Sequence, residues 1–444
     1  MMKKNIRYIS VALAAIAFAG CSHFQEEDLF EESAALRIEH NAEKLQQILV
    51  NAPQGWVIQY YTGRGVSVFE GFNLFAKFER DGKVTMAGNH RFLRDGNAGK
   101  YTEASSLYEL IREDGLVLAF NTWNEVLTPF VDPVAPWAAP KDLLKDGAGM
   151  QGDQNLVIKS MKEDEVICRG ERYDALIRLV KADRDWKTYI EDTEKMKSRI
   201  TNSVINSYYI TCGKDTMYYV GLKNGRYRIS ERVTNPLKVD SVSCCFTPTG
   251  FRNERVDTIG GHLFQEFKLN EDGSALVNED GSVQVVATWD TYIVNARANT
   301  WNFDQDKLSD EQKGLLEQIN AELKKFNNNY SLAQIGLGRS TGNGAVKGLV
   351  VTFYTNAAKT KTNTAGLSLT TTSPAYGQIQ ILYSADEKTD KNLANISSKS
   401  DVENLVRLFA ATLTGTYNIV PDNYFLPTGC ELHAVEGDNE YILK

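Results

Sequence analysis

Alternation of apolar and polar residues around short glycine-containing turns is the feature that most restricts the fold of this chain. The segments GWVIQYY, starting at Gly55, and FNLFAKFERDGKVTM, starting at Phe72, both alternate in this way. A period of two places apolar side chains on one face of a strand, and the pair Asp81-Gly82 favours a tight turn between two strands. The sequence therefore predicts antiparallel strands joined by hairpins.

The same pattern recurs along the chain. Further strands are predicted in LVLAFNTWNEVL, NLVIKSMKEDEVICRGER, NSYYITCGKDTMYYVGLKNGRYRISERV, GLVVTFYT, GQIQILYS and, as one closing strand, ELHAVEGDNEYIL. Asn224-Gly225 predicts another hairpin turn. The motif NEDGS occurs twice, at 270–274 and 278–282. It lacks the alternating oxygen ligands of an EF-hand calcium loop, so it indicates two hairpin turns in succession.

Four stretches have a helical period instead. They are Ser33 to Ala52, which Pro53 ends, residues 183–203, Ser309 to Asn328 and residues 400–414. A chain of 444 residues exceeds what one hydrophobic core usually holds. We therefore predict a mainly β protein with helices (α+β), built from two strand-rich and mostly antiparallel domains. The predicted boundaries are 33–181 for the N-terminal β-rich domain and 182–444 for the C-terminal α+β domain.

The N-terminus follows the layout of a bacterial export signal. Lys3, Lys4 and Arg7 precede an apolar stretch at 9–20, which is too short to span a bilayer, and Cys21 follows at once. This order predicts a lipoprotein signal peptide at 1–20, with Cys21 lipidated by palmitate-type chains, and an acidic linker at 21–32. A cleaved signal with a coincidental cysteine is the alternative. The acids after Cys21 fit either a surface-export tag or a solvated linker.

Composition and spacing exclude several classes of function. The net charge of −8 gives no support for nucleic acid as a partner. The five histidines are not at HxH, HxxH or HExxH spacing, and the cysteines match no zinc pattern, so the sequence indicates no metal and no cofactor. The five cysteines after Cys21 are predicted to be core thiols, with one disulfide left open. Cys244 and Cys245 are expected to point to opposite faces of one strand.

One motif points towards catalysis. Gly338-Arg339-Ser340-Thr341-Gly342 matches the G-x-S-x-G nucleophile elbow, and Asp386 and His433 follow in the order found in hydrolases. An elbow requires a strand before it and a helix after it. Here a polar stretch precedes the motif and the predicted strand GLVVTFYT follows it. A glycine-rich surface loop is therefore the favoured interpretation, and no catalytic residue is assigned.

Aromatic side chains are the remaining candidates for ligand contact. Trp137 lies in PVAPWAAP, where prolines stiffen the loop and could present the indole for stacking on a sugar ring or an apolar ligand. The competing interpretation is that Trp137 packs onto the core. Trp123 is the second candidate, and its predicted strand position favours a core role more strongly still.

Several blocks together resemble a known family. GWVIQYY, FNLFAKFERDGKVTM, LVLAFNTWNEVLTPFVDP and GMQGDQNLVIKSMKEDEVICRGER stand in this order behind a lipoprotein signal. They resemble the Bacteroidetes lipoproteins grouped as domain of unknown function 4302. The resemblance implies an outer-membrane, surface-exposed lipoprotein beside a nutrient importer, and it carries over no catalytic residue. We expect a non-enzymatic protein that binds a glycan or peptide. A secreted-side hydrolase and a structural envelope subunit are the alternatives.

Overall fold

The computed structural model describes residues 33–444 except 64–69, 114, 134–148, 202–204, 206, 214, 224–225, 231–238, 289–292 and 294–299. Its strands form four antiparallel assemblies. The first is a nine-stranded sheet, the second a closed eight-stranded barrel, and the others have four and five strands. The predicted fold class, mainly β with helices, is confirmed.

The nine-stranded sheet occupies the N-terminal part of the chain. Its strands are β1 (Trp56–Tyr60), β2 (Phe72–Phe78), β3 (Lys83–Gly88), β4 (Thr102–Leu107), β5 (Glu109–Glu113), β6 (Gly115–Ala119), β7 (Asn155–Met161), β8 (Glu165–Gly170) and β9 (Leu176–Lys181). They are ordered β4-β3-β2-β1-β9-β8-β7-β6-β5. The predicted Asp81-Gly82 hairpin joins β2 to β3, and Gly82 has the positive φ of 87° that such a turn requires.

Helix α1 (Ala34–Val50) covers one face of this sheet. Ser33 caps its first turn by accepting a hydrogen bond from Leu36 N. Leu45, Ile48 and Leu49 are buried against the sheet, whereas Leu36 is exposed. The Trp56 indole donates to Leu49 O at 2.9 Å, which fixes the end of the helix against β1.

A short helix, α2 (Thr128–Val131), lies between β6 and β7. Helix α3 (Trp186–Ile200) follows β9 and leads into the barrel. Its strands are β10 (Ser207–Cys212), β11 (Asp215–Lys223), β12 (Arg226–Ser230), β13 (Val239–Thr247), β14 (Gly250–Ile259), β15 (His262–Leu269), β16 (Leu276–Val277) and β17 (Gln284–Ala287). The barrel closes because β10 pairs with β17. Both NEDGS motifs form the predicted hairpin turns, since Asn270 N bonds to Ala275 O and Asn278 N to Val283 O. The Asn224-Gly225 turn lies outside the described residues.

The rest of the chain forms the two smaller sheets and three helices. The four-stranded sheet contains β18 (Trp301–Asn302), β19 (Ser331–Arg339), β20 (Lys347–Tyr354) and β21 (Thr362–Ser368). The five-stranded sheet contains β22 (Thr370–Thr372), β23 (Gln378–Leu382), β24 (Gly415–Pro421), β25 (Cys430–Ala434) and β26 (Glu440–Leu443). The helices are α4 (Asp310–Phe326), α5 (Lys391–Ser397) and α6 (Val402–Thr412), and a 3₁₀ turn spans Gln305–Lys307. Ser309 and Gln312 form a complete capping box on α4.

Two local predictions are wrong, and one helix was missed. The predicted strand at 116–127 ends at Ala119, because the Asn124 side chain accepts from Val126 N and turns the chain into α2. The predicted closing strand is a hairpin of β25 and β26, with Gly437 at φ 89° in its loop. Helix α5 was not predicted; Asp390 caps it by accepting from Leu393 N.

The cysteines are core thiols, as expected. Cys168, Cys212, Cys244, Cys245 and Cys430 are all free, and Cys212 alone among these five is less than fully buried. The disulfide that the sequence left open is not formed. Cys244 belongs to the barrel core, whereas the thiol of Cys245 donates to Asn73 Oδ1 on the nine-stranded sheet at 3.0 Å, so the two do face opposite ways. Within the described part of the chain, no helix is long and apolar enough to cross a membrane.

Candidate functional site

The nine-stranded sheet and the barrel meet at a junction of two facing rows of side chains. Strand register places three residues side by side on β2, β1 and β9, namely Asn73, Gln59 and Arg178. Register on β13, β14 and β15 aligns three more, namely Cys245, Arg252 and Glu266. The rows touch at both ends, because Cys245 contacts Asn73 and Arg178 bonds to Glu266. Gln59 and Arg252 therefore hold the middle positions.

Backbone contacts also join the sheet to the barrel. The Tyr61 hydroxyl donates to Arg252 O at 2.8 Å, and Asn73 Nδ2 donates to Phe246 O at 2.7 Å. Gly71 N donates to Cys244 O at 3.0 Å. A Cβ atom at Gly71 would lie 2.5 Å from the Tyr61 ring, so this close approach requires glycine. Burial raises the pKa of Tyr61 well above its usual value, so its hydroxyl stays a donor at neutral pH.

Arg178 forms the ion pairs that join the sheet to the barrel at the junction. Its Nε lies 2.6 Å from Glu165 on β8, and its Nη1 lies 2.9 Å from Glu266 on β15. Burial alone would lower the pKa of Arg178, but the neighbouring Glu266 and Glu165 carboxylates outweigh burial and raise it. One guanidinium thus holds two carboxylates, one from each assembly.

A groove of about 830 Å³ opens beside this ion pair. We call it the junction groove. Its lining combines residues of β8 and β9 with residues of β14 to β16 and the turn after β16: Glu165, Ile167, Arg178, Arg252, Val256, Leu263, Phe264, Gln265, Glu266, Lys268, Val277, Asn278, Glu279 and Asp280. Val256 and Leu263 are 53% and 66% exposed, so the groove offers apolar surface to solvent between charged side chains.

A large bulge in β14 shapes the groove wall. The β14–β15 register runs from Arg252 opposite Glu266 to Asp257 opposite Phe264, so residues 253–256 face Gln265 alone. Gln265 Nε2 spans the bulge by donating to Asn253 O at 3.2 Å. Bulges redirect side chains and are frequent beside functional sites. Here the bulge leaves Val256 exposed and Arg252 beneath it.

Several buried polar atoms at and beside this junction have no hydrogen-bond partner. They include Gln59 Oε1, Thr62 Oγ1, Arg252 Nη1 and both side-chain polar atoms of Asn253. Arg252 is only 4% exposed. A buried polar atom without a partner costs free energy, and a buried charge costs more. The junction therefore contains hydrogen-bond donors and acceptors that no other group of the described chain uses.

A smaller cavity of about 410 Å³ lies on the α3 side of the junction. The ion pair of Lys197 and Glu70, 2.9 Å apart, lies in its wall. His90 Nε2 lies 2.8 Å from Val126 O, and since a carbonyl only accepts, this nitrogen carries the proton. Burial lowers the pKa of His90 to about 4, so the ring is neutral at physiological pH and its buried Nδ1 has no partner.

Cys21 and Trp137 are outside the described residues. Trp123 follows the end of β6 and is 48% exposed, so the expectation of a core position is wrong. Its indole donates to Glu125 Oε1, and the Arg94 guanidinium stands 5.0 Å from its ring centroid. Trp123 does not line the junction groove.

The G-x-S-x-G motif does not form a nucleophile elbow. It begins with the last two residues of β19, so the expected absence of a preceding strand is wrong, but β20 rather than a helix follows, with Arg339 paired to Lys347. Ser340 is buried, and its hydroxyl accepts from Val346 N at 3.1 Å, which closes the loop of this hairpin. His433 is on β25, where its ring nitrogens face Glu431 at 2.9 Å and Glu440 at 3.7 Å. These contacts do not activate Ser340.

Glu431, His433 and Glu440 are also close enough for a shared cation, with ligand atoms within 4.8 Å of one another. All three side chains are 40–54% exposed. The two carboxylates engage opposite ring nitrogens, and a metal can take only one of these. The cluster is an exposed set of polar side-chain contacts on the hairpin of β25 and β26.

Sequence patterns missed the junction groove. Its two walls are far apart in the chain, and the charged residues that form them alternate like any solvent-facing side of a strand. The signal that was available is the interrupted alternation in FRNERVDTI, where four polar residues in a row precede Val256. Such a run is typical of a bulge.

Comparison with family models identifies a family for this chain. The family model described as Domain of unknown function (DUF4302) matches residues 26–271, more than half of the chain. The matched range contains the nine-stranded sheet, α3 and the barrel strands as far as β15. It therefore includes most of the junction groove. No curated protein matches the chain.

Proposed function

This chain belongs to the family described as Domain of unknown function (DUF4302), and from that premise we propose that it is a lipid-anchored surface protein that binds a peptide in the junction groove without altering it chemically. In this proposal Cys21 carries the lipid, the linker at 21–32 extends the folded body from the outer membrane, and the bound ligand passes to a nutrient importer. Lys3, Lys4, Arg7 and the apolar stretch at 9–20 support the anchor.

The lining of the junction groove is the observation that carries the binding role. Among the described residues that line it there is no serine, threonine, cysteine or histidine, so the groove offers no ordinary nucleophile with a histidine base. Its carboxylates at Glu165 and Glu266 are held by Arg178. A large groove with exposed apolar side chains and fixed charges is suited to holding a ligand.

The hydrolase alternative loses support because its residues are engaged elsewhere. Ser340 is buried with its hydroxyl closing a hairpin loop, and His433 faces two glutamates on a different sheet. A serine hydrolase needs the base within hydrogen-bond reach of the nucleophile and a donor pair for the oxyanion. The hairpin supplies neither a helix N-terminus nor an exposed serine.

Peptide is favoured over glycan by the kind of apolar surface that the groove exposes. Sugar rings are held by stacking on accessible aromatic faces. Phe264 is the aromatic residue in the lining, and it is 2% exposed. Val256 and Leu263 are aliphatic and exposed, and they alternate with charged and amide side chains. Such a surface suits the side chains and amides of an extended peptide.

Leu263→Ser tests the groove as the binding surface. A contact that buries part of the Leu263 side chain is worth about 1.4 kcal/mol, so affinity should fall about tenfold. The probe is a fluorescent library of random octapeptides, and binding is measured by anisotropy with the full-length chain. Leu382→Ser is the matched control, because Leu382 is also a partly exposed strand leucine and lies on β23, away from the groove. Equal loss in both variants, or no peptide binding by the wild type, contradicts the proposal.

Labelling with palmitate tests the anchor separately. The wild-type chain should incorporate label in cells and be cleaved by protease added to whole cells. Cys21→Ala should incorporate none, because the thiol that accepts the lipid is removed. A labelled Cys21→Ala chain, or an unlabelled wild type, would contradict the anchored location without bearing on the groove.

A further inference from the structure

Arg252 differs from every other cation that lines the junction groove. Its residue is 4% exposed, and its Nη1 atom is buried with no hydrogen-bond partner. Arg178 bonds to two glutamates, and Lys268 lies 4.0 Å from Glu266 and is 65% exposed. Water screens Lys268, and carboxylates neutralise Arg178. The Nη1 atom of Arg252 has neither water access nor a carboxylate partner.

The acids of the groove do not supply the missing partner. Glu266, directly opposite Arg252 in the register, is held by Arg178 at 2.9 Å. Glu165 is held by the same guanidinium at 2.6 Å. Asp280 Oδ1 accepts hydrogen bonds from the hydroxyl and the backbone N of Ser282, and these two bonds lower the pKa of Asp280 to about 2. These three acids have partners of their own, the fourth acid of the lining, Glu279, is exposed in the turn after β16, and Arg252 Nη1 keeps an unused donor.

A guanidinium in this position selects for one kind of ligand group. It is planar, permanently charged and able to give two parallel hydrogen bonds to a carboxylate. A carboxylate that reaches Arg252 would gain a charge-assisted bond in a place from which water is mostly excluded. An amide of the same shape would gain much less. Arg252 is thus built to distinguish an acid from its amide.

We propose that the junction groove binds peptides through a carboxylate held by Arg252, either a C-terminal carboxylate or an Asp or Glu side chain. This inference rests on the proposed function, since it names the chemical class of the ligand in that groove. Leu263 and Val256, which line the groove and are exposed, would contact apolar neighbours of the acid. Arg178 would stay with its glutamates and keep the groove walls together.

Peptide pairs that differ by one group test the carboxylate. The probes are octapeptides retained by the full-length chain, each compared with its Glu→Gln and Asp→Asn form and with its C-terminal amide. The wild type should bind the form with the critical carboxylate at least tenfold more tightly than the neutral form. Which of the two neutral forms is weaker identifies the source of the carboxylate. Equal affinity for acid and amide forms overturns the carboxylate role and leaves peptide binding intact.

Arg252→Met separates a binding role from a structural one. Since Arg252 Nη1 is unpartnered in the free protein, removing the charge should raise the urea midpoint of unfolding while abolishing the preference for acid over amide. Arg252→Lys should keep part of that preference, because it retains the charge but not the paired geometry. Arg255→Met is the matched control on the same strand, where Asp257 lies 3.1 Å from the guanidinium, and it should not affect the preference. A lower urea midpoint in Arg252→Met than in Arg255→Met would mean that Arg252 holds the fold, which overturns the inference.

A uronic-acid glycan is the other source of carboxylates, and digalacturonate is the probe for it. The peptide proposal predicts that digalacturonate does not compete with an acidic octapeptide. Direct binding of digalacturonate by a wild-type chain that binds no octapeptide, with that binding lost in Arg252→Met, would overturn peptide as the ligand. In that case the proposed function fails on the class of ligand, and this outcome is distinct from loss of the acid preference.

Discussion

Two buried glutamines show how the sheet–barrel junction differs from the hydrogen-bond network around helix α4. Gln312 on α4 is 3% exposed, and its Nε2 donates to Thr412 Oγ1 at 2.9 Å and to Tyr441 OH at 3.1 Å. Its Oε1 accepts from Ser309 N at 3.2 Å. Gln59 on β1 is 2% exposed, and its Oε1 has no partner. The same residue type is equally buried in both places and is satisfied in only one.

The difference separates polar groups that hold the fold from polar groups that the fold leaves available. Around Gln312, every hydrogen bond joins elements of the C-terminal sheets and helices, so the network is complete without a ligand. At the junction the outer positions of the two rows are paired, whereas the middle positions, Gln59 and Arg252, each keep an unpartnered atom. In an interface that only holds the fold together, an apolar residue could replace such a polar side chain with little loss of stability.

Arg178→Met should produce the largest loss of stability among the changes that probe this comparison. It leaves Glu165 and Glu266 without their cation at a partly buried position, and such removals cost several kcal/mol when the pair is fully buried. The side chains here are 20–30% exposed, so we expect a loss of about 2–3 kcal/mol in the free energy of unfolding, measured with urea.

The control for Arg178 is Arg169→Met, on the neighbouring strand β8. Arg169 pairs with Asp174 at 3.3 Å, but both side chains are about half exposed, so its loss should change stability by less than about 0.5 kcal/mol. If Arg178→Met costs no more than Arg169→Met, the outer ends of the junction rows are not what joins the sheet to the barrel. The contrast between paired and unpaired positions then loses its structural meaning.

Local patterns predicted the hairpins and most helices, because these depend on residues close in the chain. Asp81-Gly82 and both NEDGS turns need only a glycine, an Asx side chain and alternating neighbours. Ser309 predicted the start of α4 because serine is a common N-cap residue. The strand that ends at Ala119 was predicted to be too long. The Asn124 side chain turns the backbone beyond it, and the alternation of apolar and polar residues gives no sign of that hydrogen bond. Trp123 was assigned to the core on this mistaken strand.

The junction could not be predicted from local patterns. Tyr61 and Arg252 are 191 residues apart, and Asn73 and Phe246 are 173 apart. The alternation of WVIQY marks Gln59 as facing away from the first core, yet it does not show that a barrel covers that face. Arg252 looks like one of two solvated arginines in FRNERVDTI. Only the packing of two separate assemblies buries it.

Gln312→Leu and Gln59→Leu form a matched pair that sharpens the comparison with a smaller effect. Gln312→Leu removes the capping-box acceptor and leaves Tyr441 and Thr412 each without a donor that Gln312 supplies. We expect a loss of about 1–2 kcal/mol in the free energy of unfolding. Gln59→Leu removes an acceptor that has no partner and keeps the volume, so stability should stay within about 0.5 kcal/mol of the wild type or increase.

Urea unfolding of the two variants beside the wild type decides the matter, since both changes replace the same buried residue with the same apolar one. If Gln59→Leu is as destabilising as Gln312→Leu, then Gln59 takes part in a completed network at the junction. That result would remove the reason to treat the middle of the rows as open to a ligand. Loss of stability in Gln312→Leu alone, together with the stability gain expected for Arg252→Met, would distinguish the open middle positions of the junction rows from the closed network around Gln312.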